Sequence, residues 1–118
     1  MDMHEKKILC GASSYDEIFY FNPDFDSVPD LVKEELQIMC VLFTADVGGI
    51  LRLEFDEQGT LHFAVESRED DFFFDEIGSV LKIKQLQREK RDLLTSLETY
   101  YKVFERNKDI LTGKDIGE

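Results

Sequence analysis

Apolar residues recur along the chain with two different periods, and the points where the period changes divide it into elements. Residues 6–12 (Lys-Lys-Ile-Leu-Cys-Gly-Ala) and 17–22 (Glu-Ile-Phe-Tyr-Phe-Asn) are short strand-like runs. The polar segment Ser13-Ser14-Tyr15-Asp16 lies between them, which predicts a first β-hairpin. Asn22-Pro23-Asp24 breaks that pattern. Ser27 stands three residues before Asp30 with Pro29 in the intervening turn, a helix-start signature that places a first helix near Val28. Val28, Leu31, Val32, Leu36, Met39, Cys40 and Phe43 keep helical spacing, and Ile38–Phe43 is apolar on every side, which predicts deep burial of that half. Gly48-Gly49 stops the helix.

The second hairpin is specified residue by residue. Leu51, Leu53 and Phe55 alternate with Arg52 and Glu54; Glu57-Gln58-Gly59 supplies a turn; Leu61, Phe63 and Val65 then alternate again. Pairing Leu51 with Val65, Leu53 with Phe63 and Phe55 with Leu61 puts all six apolar side chains on one face. The same register sets Arg52 opposite Ala64 and Glu54 opposite His62 on the other, solvated face. A slip of one residue would scramble both faces.

After Arg68-Glu69-Asp70-Asp71 and Phe72-Phe73-Phe74, a helical pattern runs from about residue 76 to 105, with Ile83, Leu86, Leu93, Leu97, Tyr100 and Phe104 at 3–4 spacing. Lys90 occupies the one position of that stripe that should have been apolar. A helix of this extent would be roughly 40 Å long, long for a domain whose radius of gyration should be about 13–14 Å. Two expectations follow: Gly78-Ser79 splits its start, or part of the stripe packs on another chain. Residues 108–118, with Gly113 and Gly117, are expected to form a flexible tail behind a single domain over 1–107.

The resulting ββαββα order predicts an α+β fold: a four-stranded, largely antiparallel sheet with helices on one face and a long C-terminal helix. His4–Ala12, Leu36–Leu42, Asp46-Val47-Gly48-Gly49 and Phe74–Lys84 resemble the corresponding segments of a family of small uncharacterised bacterial proteins, a domain of unknown function. The resemblance covers nearly the whole chain and implies no chemistry.

Charge adds a second axis. The net charge is −12, but residues 1–81 hold 19 acidic and 5 basic side chains, whereas residues 82–118 hold 7 acidic and 9 basic. Lys82, Lys84, Arg88, Lys90 and Arg91 oppose only Glu89, so the helix carries a local basic segment. An acidic surface repels nucleic acid and anionic lipid, so neither is an expected partner. No apolar run reaches the roughly 18 residues a membrane span needs, no basic-then-apolar leader opens the chain, and a cytoplasmic protein is expected. Cys10 and Cys40 each lie in an apolar run without metal or redox spacing and read as buried free thiols.

Candidate chemistry is sparse. Glu54 and His62 are the best acid/base pair, yet a cross-strand ion pair is ordinary surface stabilisation. Asn22, Asp24 and Asp26 alternate like the first ligands of a calcium loop, but Ser27 stands where Gly is needed and Lys33 where a bidentate Glu is needed. Glu69, Asp70, Asp71, Asp75 and Glu76 are explained by the start of the second helix. Gly48-Gly49 follows a helix and opens a strand, the reverse of a phosphate cradle. No catalytic, cofactor or metal residue is therefore assigned.

The favoured function is a non-enzymatic interaction module, a homodimer or the binder of another protein, joined through the C-terminal helix at Lys82, Lys84, Arg88, Lys90, Arg91, Leu93, Leu97, Tyr100 and Phe104. The alternative is a small ligand-binding domain or enzyme whose pocket only the fold assembles.

Overall fold

The computed structural model describes the backbone of residues 7–111 and the side chains of residues 7–107. Strand β1 (Lys7–Ser13) and β2 (Ile18–Phe21) form the first hairpin; a single 3-10 turn at Pro23–Phe25 leads into α1 (Asp30–Val47). Strands β3 (Ile50–Phe55) and β4 (Leu61–Glu66) form the second hairpin, followed by α2 (Glu76–Glu89) and α3 (Arg91–Leu111). The sheet is antiparallel with order β2-β1-β3-β4, so α1 carries the chain from one edge back to the strand beside β1. The expected α+β architecture is the observed one.

The register of the second hairpin is the expected one: Leu51 opposite Val65, Leu53 opposite Phe63, Phe55 opposite Leu61, Glu54 opposite His62 and Arg52 opposite Ala64. Leu51, Leu53 and Phe55 are fully buried, whereas Phe63 and Val65 are half-buried, because β4 is an edge strand with a neighbour on one side only. Gly48 (φ 85) accepts the stop of α1 by donating its N–H to the Thr44 carbonyl at 2.9 Å. Gly49 (φ 78) has no room for a side chain, since a Cβ there would lie 2.9 Å from the Phe74 ring. Phe74 thus closes over the α1–β3 turn.

The first helix begins at Asp30 rather than near Val28, with Pro29 at its cap. Ser27 does not cap it; its hydroxyl instead meets the Tyr100 hydroxyl at 2.7 Å, a tertiary partner that outcompetes the local one. Val28 is buried ahead of the helix.

The expected long helix is two helices. The break falls at Lys90 (φ −107, ψ 24), not at Gly78-Ser79. Gly78 and Ser79 sit in the first turn of α2, where the Asp75 carboxylate accepts the Gly78 N–H at 2.8 Å. The break occurs at the polar position that interrupts the stripe: the Lys90 ammonium pairs with Glu35 at 3.1 Å. Ile83 and Leu86 on one side of it, and Leu93, Leu94, Leu97, Tyr100, Tyr101 and Phe104 on the other, all pack on the same core. Tyr101 stacks on Phe55 with ring centroids 4.2 Å apart, and Phe25 sits edge-on to Phe55 at 5.8 Å and tilted against Phe104 at 5.0 Å. The C-terminal stripe is therefore covered within its own chain. Helix α3 continues through Leu111, four residues into the stretch expected to be a tail; residues 112–118 lie outside the described residues.

Candidate interaction surface on the outer helical face

A helix that is apolar all round loses one face to the sheet and must present the other. In α1 the inner face comprises Leu36, Met39, Cys40, Phe43, Thr44 and Val47, each 5% exposed or less. On the opposite side Leu31, Ile38 and Leu42 are 79%, 59% and 61% exposed, and Val41 is 40% exposed. The expectation that Ile38–Phe43 is deeply buried thus holds for Met39, Cys40 and Phe43 and fails for Ile38, Val41 and Leu42. The reason is layer number: this domain has one sheet and one layer of helices, so nothing lies beyond α1.

Helix α2 also exposes apolar residues, Ile77 at 74% and Leu81 at 61%. Residues 77, 81, 84 and 88 fall on one side of a helix, so the outward stripe of α2 reads Ile77, Leu81, Lys84, Arg88. Between α1 and α2 runs an open groove of about 450 Å³, floored by Met39, Phe43 and Leu86 and bordered by Leu31, Ile38 and Leu42.

Ion pairs fasten the two helices along this groove. Lys82 reaches Asp46 at 3.0 Å and Lys90 reaches Glu35 at 3.1 Å. These two members of the basic segment answer the acidic body of their own molecule. Lys84, Arg88 and Arg91 are exposed and, among the described residues, have no ion-pair partner. Of the residues expected at the interface, then, Lys84, Arg88 and Arg91 are available, Lys82 and Lys90 serve the α1–α2 contact, and Leu93, Leu97, Tyr100 and Phe104 belong to the core. Ile77 and Leu81 were not singled out by sequence reasoning, whereas Leu31 was read into the apolar stripe of the first helix and Ile38 and Leu42 into its buried half; all three meet water. The signal was the all-round apolarity of residues 38–43, read as depth when a two-layer domain has none to offer.

The other candidate chemistry is engaged elsewhere. His62 does not meet Glu54; its Nε2 lies 2.7 Å from the Asp56 carboxylate at the hairpin turn. That contact, with the backbone N–H groups of Thr60 and Gln58, holds the Asp56 carboxyl below its ordinary pKa. Glu54, nearly buried, accepts the Arg52 Nε–H at 2.8 Å, and Arg52 also donates to Glu66 at 3.0 Å. Arg52, Glu54 and the cross-strand Glu66 share the open face of the sheet, where alternate strand residues align. Lys33 sits 2.9 Å from Asp26, so the would-be calcium loop is closed by its own cation.

In the acidic loop, Asp71 accepts the Tyr15 hydroxyl at 2.6 Å and the Phe73 N–H at 3.0 Å. The Tyr15 contact chiefly lowers the Asp71 pKa and in turn raises that of Tyr15. Arg68 stacks over the Tyr15 ring at 4.2 Å, so this cluster ties the β4–α2 loop to the first hairpin. Among the described residues no three His, Cys, Asp or Glu side chains converge as a metal site, and no helix is long and apolar enough to cross a membrane.

Comparison with curated proteins and with solved structures gave no match. A family model does match, over residues 6–109, and the chain belongs to that family, a family of unknown function (DUF6145).

Proposed function

We propose that this protein is a non-enzymatic interaction module that pairs with a second copy of itself across the outer faces of α1 and α2. The observation that carries the reading is the exposure of Leu31, Ile38 and Leu42 in one row on α1. An exposed apolar row of this kind is uncommon on a soluble monomer and marks contact sites. A docking role suits the groove, because its floor is apolar and two of its rim charges, Lys82 and Lys90, are already paired.

The second copy is favoured as occupant by the order of charges. The N-terminal end of α1 offers the exposed acids Asp30 and Glu34, and its outward residues Ile38, Val41 and Leu42 are apolar; the outward stripe of α2 runs from the apolar Ile77 and Leu81 to the basic Lys84 and Arg88. Laid antiparallel, α1 of one copy on α2 of the other, apolar stretches meet and opposite charges meet. A two-fold axis makes that contact twice. The reducing conditions of the cytoplasm suit a chain with two unpaired thiols.

Light scattering on the eluted protein tests the reading. The wild type at tens of micromolar should give about twice the 13.8 kDa chain mass, and Ile38→Asp with Leu42→Asp should give one chain mass with an unchanged far-ultraviolet dichroism spectrum. A wild type of one chain mass overturns the proposal, as does a double variant that remains dimeric.

A further inference from the structure

The inner face of α1 carries a feature that neither the self-association reading nor the family assignment uses. Cys10 on β1 and Cys40 on α1 are both fully buried, and their sulfurs lie 4.0 Å apart. The residues are 30 apart in sequence, and the contact exists only because the middle of α1 crosses β1. Leu53 and Phe21 flank Cys10 on the neighbouring strands, and Leu36, Met39 and Phe43 line the same side of α1 as Cys40.

We infer that Cys10 and Cys40 form a modification site: a buried dithiol that closes to an intramolecular disulfide on exchange with a small-molecule disulfide such as oxidised glutathione. A disulfide needs the sulfurs at about 2.0 Å, so each must move by about 1 Å. The apolar surroundings select among the products two neighbouring thiols can give. A metal bis-thiolate would bury charge in the core, and among the described residues no third ligand stands by to complete its shell. A stable mixed disulfide would need room for a tripeptide, which a fully buried pair does not have. The protein disulfide is neutral and smaller than the two thiols it replaces.

The reaction balances without a further reagent. A cysteine thiolate attacks one sulfur of oxidised glutathione, a Cys–S–S–glutathione bond forms and one glutathione thiolate leaves. The second cysteine, having lost its proton, attacks the cysteine sulfur of that bond, the Cys10–Cys40 bond forms, and the second glutathione leaves. Two cysteine thiols are oxidised, one glutathione disulfide is reduced to two thiols, and the protons end on glutathione or in solvent.

Closed packing slows the first step. The hydrogen shared with Cys40, and then burial, push the Cys10 thiol far above its ordinary pKa, so the attacking thiolate forms when α1 lifts from β1. Oxidation staples that same contact, and the rate therefore reports the opening of α1.

The test is equilibration of the whole chain in glutathione buffers of graded oxidised-to-reduced ratio, begun from both reduced and oxidised protein until the two converge. Acid quenching, alkylation in denaturant and mass analysis follow. In excess oxidised glutathione the wild type should lose about 2 Da and both alkylation sites, yield a peptide joining Cys10 to Cys40, and melt roughly 10 °C higher. Cys40→Ala should show none of these. Two free thiols at convergence, a lasting glutathione adduct, a link between chains, or a disulfide that lowers the melting temperature would each overturn the inference. Because the assay reads thiol state, its outcome is independent of whether the protein dimerises.

Discussion

Among the described residues, helix α3 turns its large apolar side chains other than Val103 toward the core, whereas α1 is apolar on both sides. Leu97 and Tyr101 of α3 are 3% and 7% exposed; Leu31 and Leu42 of α1 are 79% and 61% exposed. Both helices lie on the same sheet, so the contrast does not come from their place in the fold. It comes from how much apolar surface each holds relative to the one face a two-layer domain can cover. Helix α3 holds one face's worth and closes on Phe25 and Phe55 of its own chain. Helix α1 holds an excess, and the excess is what a partner can use. For a small domain, a helix that is apolar all round must expose apolar surface that an amphipathic one can bury within its own chain.

Several substitutions would break that contrast if it is wrong. The largest effect should follow Leu97→Ala, which opens a cavity in the core and should cost about 3 kcal/mol by urea denaturation. Leu42→Ala on the outer face of α1 should change the stability of the isolated chain by less than about 0.5 kcal/mol. Equal losses for the two would erase the distinction between the helices.

A charge exchange sharpens the proposed pairing at intermediate cost. Glu34→Lys alone and Arg88→Glu alone should each weaken self-association by about tenfold, since like charges then face one another. Mixing the two variants should restore a heterodimer of wild-type strength, because each contact regains one acid and one base. Failure of the mixture to associate would exclude the antiparallel α1-on-α2 arrangement.

Smaller effects belong to proton linkage. Burial and then the Glu105 carboxylate raise the Tyr101 pKa above its ordinary value of 10.0, so its neutral form contributes stability below pH 10 that is lost as the pH rises beyond it. Tyr101→Phe, which keeps the ring on Phe55, should flatten the alkaline limb of the stability profile. Asp71 behaves with the opposite sign. Its pKa is lowered from 3.8 chiefly by the Tyr15 hydroxyl, so its contribution is present above about pH 4 and fades as the pH falls below 3.8. Tyr15→Phe should weaken that acid limb and, because the Tyr15 pKa is itself raised by Asp71, should also flatten part of the alkaline one. Superimposable alkaline limbs for the wild type and Tyr101→Phe would show that the Tyr101 hydroxyl is not perturbed by its site.

Local pattern alone determined the strands, the hairpin register and the identity of most core positions, because alternation of side chains across a sheet leaves Leu51, Leu53 and Phe55 one way to face. It also marked Lys90 as the flaw in the C-terminal stripe. Whether that flaw would be a solvated lysine, a contact with another chain or a break depended on Glu35, 55 residues away, lying within reach of its ammonium. The same dependence on distant partners moved Ser27 from helix cap to Tyr100, His62 from Glu54 to Asp56, and Cys10 to within 4.0 Å of Cys40. Periodicity states which residues share a face; it cannot state how many layers stand behind that face. That number decided that Leu31, Ile38 and Leu42 meet water, and it is set by the whole chain folding at once.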